Sequence, residues 1–112
     1  MVVGAYLLLV APYHALAPPD DANTLAAFQK FVPRPYAIVR ATHKGTSYIV
    51  IFGKQPLLSE QPAGYLFDDG GRLVDWSHEA LDYGHLAEFW ELARREIRAG
   101  RRLTYEDVIL DR

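Results

Sequence analysis

Residues 36–52 read YAIVRATHKGTSYIVIF. Two runs rich in β-branched and aromatic side chains, Tyr36 to Thr42 and Thr46 to Phe52, flank His43-Lys44-Gly45. Such side chains fit a pleated surface, and glycine enters the left-handed region without steric cost. The stretch therefore predicts a β-hairpin closed by a three-residue loop, with Gly45 at positive φ. Pairing Thr42 with Thr46 sets Val39 opposite Ile49 and Ile38 opposite Val50. One face then carries Ala37, Val39, Ala41, Ser47, Ile49 and Ile51, small or branched residues that a helix can approach closely. The other carries Tyr36, Ile38, Arg40, Tyr48, Val50 and Phe52.

Downstream, Gly53 to Gly64 is a long loop punctuated by Pro56 and Pro62, the kind that serves an interaction or covers a sheet edge. A second hairpin follows, Gly64 to Asp68 and Arg72 to Trp76, turning through Asp68-Asp69-Gly70-Gly71. Asp-Gly is a strong hairpin signal. Period-two alternation places Tyr65, Phe67, Val74 and Trp76 on one face, with Leu66, Asp68, Leu73 and Asp75 on the other. Leu86, Phe89, Trp90, Ala93 and Ile97 then form the apolar stripe of an amphipathic helix over Tyr83 to Ala99. Gly100 is placed to end that helix, and Asp82 to cap its start. In the tail, Thr104 three residues before Asp107 resembles a capping box and predicts a last short helix.

Upstream, Pro18 and Pro19 interrupt the chain. Leu25, Phe28 and Phe31 or Val32 mark a short helix from Asp21 to Val32, with an aspartate as its cap, ended by Pro33 and Pro35. The first seventeen residues allow two readings. Val2 to Val10 is apolar, and Ala15-Leu16-Ala17 has the form of a signal-cleavage site. Against a signal, no Lys or Arg precedes the apolar stretch, and Pro18 would follow the cut. The alternative is a buried strand, Ala5 to Val10. The run is well short of the roughly 20 residues of a membrane helix, so no membrane span is expected. These features favour a cytoplasmic chain over a secreted one.

The sum is a single α+β domain over residues 1–112, with residues 18–112 as its core. It is a two-layer sandwich: an antiparallel sheet of about four strands, in two hairpins, flanked by an N-terminal helix and a longer C-terminal helix. The element order resembles that of cystatin-like folds. No family-specific motif accompanies the resemblance, and no family follows from it.

Composition narrows function by exclusion. Of 112 residues 50% are apolar and 23% charged, the balance of a folded globule rather than a disordered chain. A net charge of −2 is not that of a strongly basic nucleic-acid binder, so no nucleic acid is expected as partner. No cysteine is present, which removes disulfides, thiolate metal sites and thiol nucleophiles. Phosphate-loop, dinucleotide, nucleophile-elbow and zinc-protease motifs are missing, so no cofactor is expected.

Three clusters remain. His78, Asp82 and His85 would share one face of a continuous helix, and two imidazoles with a carboxylate are a known metal-ligand set. The competing reading is that these residues satisfy the unpaired N–H groups of a helix start. Arg94, Arg95, Arg98, Arg101 and Arg102 against Glu96 alone suggest an anion-binding or RNA-binding patch, or simply complement the helix dipole, which is the favoured reading. Glu91 can pair with Arg94 and Arg95. Tyr36, Tyr48 and Phe52 share a hairpin face and are the candidate partner-binding residues. The leading expectation is a small non-enzymatic interaction domain for a protein or peptide partner, or one that forms a homo-oligomer through its sheet. The alternatives are a metal-dependent enzyme or metal site at His78, Asp82 and His85, and a small-molecule sensor with a pocket of roughly 300 Å³ or more.

Overall fold

The computed structural model describes residues 17–53 and 61–109. They form α1 (Leu25–Phe31), β1 (Ala37–His43), β2 (Thr46–Phe52), β3 (Gly64–Asp68), β4 (Leu73–Ser77), α2 (Ala87–Arg98) and α3 (Tyr105–Ile109). The strands make one antiparallel sheet in the order β1-β2-β3-β4. This is the expected α+β fold, with a short N-terminal and a longer C-terminal helix. The expected strand Ala5 to Val10, its signal-like alternative and residues 54–60 of the long loop lie outside the described residues. Among the described residues no helix is long and apolar enough to cross a membrane.

The first hairpin is tighter than expected. Its loop has two residues, Lys44 and Gly45, with φ of 52° and 80°. Two successive left-handed residues make a turn whose twist matches that of the strands. His43 therefore pairs with Thr46, and Val39 with Val50 rather than Ile49. A one-residue change of register changes which side chains of the two strands share a face. Ala37, Val39 and Ala41 lie with Val50 and Phe52 on one side of the sheet, while Ile38 lies with Ile49 and Ile51 on the other.

The second hairpin turns as expected, with Gly71 at φ 83° and the Asp68 Oδ1 accepting from the Arg72 N–H at 2.9 Å. Its register slips between Leu66 and Phe67. Leu66 faces Asp75 while Phe67 faces Leu73, so Val74 is extra and stands 53% exposed. Leu73, not Val74, joins Phe67 in the core. A bulge of this kind resets the alternation that a regular strand would keep.

Each face of the sheet thus carries its own core. On one, Trp90, Ala93 and Leu86 of and beside α2 pack on Ala37, Val39, Ala41, Val50, Phe52 and Leu66. Gly64 makes this approach possible: a Cβ there would lie 2.8 Å from the Trp90 ring. His43 at the hairpin tip lies 2.6 Å from Glu88, and its ring meets that of Phe89 at a tilt, 4.5 Å between centroids, tying the tip to the first turn of α2. The hydrogen bond to His43 holds the Glu88 carboxyl below its ordinary pKa. On the other face, Leu25 and Phe28 of α1 and Tyr105 and Val108 of α3 cover Ile38, Ile49, Ile51, Tyr65 and Phe67. The Phe28 ring meets Tyr65 at 4.7 Å and Phe67 at 5.0 Å, both edge-on.

Helix ends follow local chemistry. Thr24, not an aspartate, caps α1, accepting from the Ala27 N–H. At α3 the expected capping box is present: Thr104 Oγ1 accepts from the Asp107 N–H, and Asp107 Oδ2 from the Thr104 N–H. Gly100, at φ 76°, ends α2, its N–H bonded to the Ile97 carbonyl. The Leu103 N–H then donates to the Ile38 carbonyl at 2.7 Å, laying the C-terminal segment along the outer edge of β1.

Trp90→Ala is expected to destabilise by about 3–5 kcal/mol through loss of the buried indole. Gly64→Ala alone should cost about 1–3 kcal/mol through overpacking, and far less in the Trp90→Ala background, where the clash is gone. Urea denaturation of the four proteins in this double-mutant cycle checks both. Simple additivity would show that the glycine is not there for the indole.

Candidate functional site

The stripe of α2 that seats on the sheet runs through Trp90 and Ala93 toward Ile97. Arg94 and Arg98, one residue past Ala93 and Ile97, stand at the margin of that contact. Below them the Tyr36 N–H donates to the Phe52 carbonyl at 2.8 Å, holding Tyr36 beside the end of β2. Pro62 is fixed by its carbonyl, which accepts from the Ala80 N–H at 2.9 Å. A half-open cavity of about 250 Å³ lies between these pieces, lined by Tyr36, Phe52, Gln61, Pro62, Arg94, Ile97 and Arg98. Phe52 is buried, while Tyr36 is 53% exposed at the mouth.

The arginines differ in how firmly they are held. Arg94 donates to the Ala80 carbonyl at 3.1 Å, to Asp82 Oδ1 at 2.7 Å and to Glu91 Oε2 at 3.4 Å. Arg98, 62% exposed, donates to Glu91 Oε1 at 3.2 Å, and Arg95 lies 3.6 Å from the same oxygen. The Arg102 guanidinium lies over the Tyr36 ring, 4.9 Å from its centroid. Glu91 thus serves three guanidiniums. Its pKa is lowered, first by the hydrogen bond from Arg98 and further by Arg94.

Of the three partner-binding candidates, Tyr36 and Phe52 come together in this cleft. Tyr48 does not: it packs edge-on against Phe89 at 5.0 Å. It sits four residues before Phe52 along β2, about 13 Å away at strand rise. The metal candidates are drawn to separate partners. His85 Nε2 lies 2.9 Å from Asp75 Oδ2, Asp82 pairs with Arg94, and the His78 ring stands 4.9 Å from that of Trp76. Among the described residues no group of three or more His, Cys, Asp or Glu side chains could hold a metal ion.

Asp82 is also not the cap it was expected to be. The helix begins at Ala87, and its cap position, Leu86, offers no side-chain hydrogen bond. Gly84, at φ 97°, lies outside helical space and keeps Asp82 and Tyr83 out of α2. The pairing of Glu91 with Arg94 and Arg95 is as expected. The chain's sequence did not single out Ile97, Pro62 or Arg98 as cleft residues. The four-residue spacing of Arg94, Arg98 and Arg102 was the available signal, because such spacing aligns side chains along one side of a helix and its extension. No protein-family model, no curated protein and no solved structure matches the chain significantly.

Replacing Arg98 with glutamine is expected to raise the Glu91 pKa toward its ordinary value, as read by carbon-detected NMR titration. The folded-state pKa is depressed, so the pair's stabilisation is present above the unfolded carboxylate pKa. It fades as pH falls through the lower folded value. An unchanged Glu91 titration in the variant would show that the pair does not persist in solution.

Proposed function

We propose that this chain is a small non-enzymatic binding domain that takes a protein or peptide partner in the cleft between Tyr36, Phe52, Pro62 and Ile97. The observation that carries this reading is the size and lining of the cleft. At about 250 Å³ and half open, it is near the lower bound of small-molecule sites and has room for one inserted apolar side chain such as a peptide presents. The lining supplies an aromatic platform and arginines, the residue types that dominate interface energetics. Among the described residues its lining includes no carboxylate, imidazole or hydroxyl-bearing serine or threonine that would act as base or nucleophile. Self-association through the sheet is the weaker variant, since helices cover both sheet faces.

Selection of short random peptides displayed on phage against the full chain tests this reading. Peptides sharing one recurrent aromatic or long aliphatic position are expected. Their affinity should fall about tenfold or more in Tyr36→Ala, a change at the edge of an interface anchor. Because Tyr36 is half exposed, the variant should melt within a few degrees of the parent. Failure to enrich any peptide, or equal binding to the variant, would overturn the proposal.

A further inference from the structure

We infer that the partner presented to this cleft is an acidic segment: an aspartate or glutamate, held by Arg98 and Arg102, next to the apolar side chain that fills the cavity. The inference rests on the binding reading above and specifies its ligand. Its starting point is a local imbalance of charge. Around the C-terminal end of α2 stand five guanidiniums, those of Arg94, Arg95, Arg98, Arg101 and Arg102. Among the described residues they meet three carboxylates, Asp82, Glu91 and Glu96. Two positive charges are left over, on a chain whose net charge is −2.

The pairing geometry locates that surplus. Arg101 is matched by Glu96. Arg94 is occupied by Asp82, Glu91 and a backbone carbonyl, and is only 21% exposed, so it acts as a fixed wall. Arg95 and Arg98 share a single oxygen of Glu91, so the two guanidiniums carry one charge more than that carboxylate balances, and Arg98 is the one of the pair that lines the cavity. A guanidinium has five donors in a fork that matches a carboxylate. Arg98 spends one of them on Glu91 and is well exposed at the rim. Among the described residues Arg102 makes no ion pair, and its guanidinium is held at the mouth by the Tyr36 ring. A cation–π contact pre-orders the group without consuming its N–H donors. The surplus charge therefore sits on two guanidiniums flanking an apolar cavity. A carboxylate one or two positions from an apolar side chain matches both features at once.

A nucleic acid matches less well. Backbone phosphates are spaced along a strand and call for a continuous run of positive charge. Here Glu91 and Glu96 interleave with the arginines, and the aromatic surface is one ring at the mouth.

The test uses peptides obtained by phage selection against the full chain, dye-labelled and followed by fluorescence anisotropy. Selected peptides are expected to carry Asp or Glu beside the apolar anchor. Their Asn or Gln counterparts should bind about tenfold more weakly, and Arg98→Gln and Arg102→Gln should each reproduce that loss. Raising the salt concentration should weaken the acidic peptides and leave the neutral ones little changed. Arg72→Gln, remote on the β3–β4 turn, should have no effect. Peptides that need Tyr36 but lack acidic residues, or whose acids can be removed without loss, would overturn this inference and leave the peptide-binding reading standing. Peptides indifferent to Tyr36→Ala would overturn both. Tighter, salt-sensitive binding of a single-stranded oligouridylate that depends on Arg98 and Arg102 would overturn it in favour of a nucleic acid.

Discussion

The turn at Lys44 and Gly45 is the constraint on which the rest of the molecule depends. Two left-handed residues fix the register of β1 on β2, and register fixes the face on which every side chain of the hairpin lies. Val39 and Val50 are thereby committed to the α2 side, and Ile38, Ile49 and Ile51 to the side of α1 and α3. Had the loop held three residues, Val39 and Ile49 would share a side. The small residues that admit α2 would then share a face with the branched ones that α1 needs. The same register brings Ala37 opposite Phe52 and so Tyr36 to the end of β2, where the cleft opens.

Once the faces are fixed, the depth of α2 follows from Gly64 and the alanines opposite. Ala37 and Ala41 on β1, with Gly64 on β3, leave a shallow trough, and the Trp90 indole lies in it almost without solvent contact. A helix seated this low brings Ile97 down beside Phe52 and carries Arg94 and Arg98 to the sheet margin. The cleft lies where the helix runs past the end of β2, beside Tyr36 and Pro62. Its walls are thus consequences of core packing, and its lining is rigid on the side of Arg94, which three acceptors hold in place.

Much of this architecture was legible in the residues. The two hairpins announce themselves through Gly45 and the Asp-Gly turn, α2 through its stripe and Gly100, and α3 through Thr104 and Asp107. What the sequence concealed has physical causes. Lysine at positive φ is uncommon, so the pattern favoured a longer loop and a register displaced by one. The bulge at Val74 depends on how β4 is anchored. Leu73 N–H bonds to the Asn23 carbonyl, and Leu25 N–H to that of Gly71, contacts that join distant parts of the chain. The start of α2 was misplaced because Gly84 lies at a left-handed φ, which composition does not reveal. For the cleft, Tyr36 and Phe52 were visible as aromatic candidates. Tyr48, two pleats away on the same strand, was not distinguishable from them until Phe89 was seen to cover it. The arginine spacing acquired meaning only after the seat of Ile97 was known.

The arginines at the end of α2 raise a last point of physical chemistry. Cations near a helix C-terminus are stabilised by the dipole, and Glu91 and Glu96 pair with several of them. That account explains why arginines occur there, but not why, among the described residues, they outnumber the carboxylates they meet by two. Dipole stabilisation falls off within the last turn. Arg102 lies beyond Gly100, where the chain has already left the helix, and its guanidinium lies over the Tyr36 ring. Its placement is set by an aromatic ring at the mouth of a cavity. Stability and recognition make different demands on these side chains: the first is met by Arg94, Arg95 and Arg98, drawn in toward Glu91 and Asp82 near the end of α2. Arg102 is the one whose position the helix alone does not account for, and Arg98 is the helix residue that faces the same cavity.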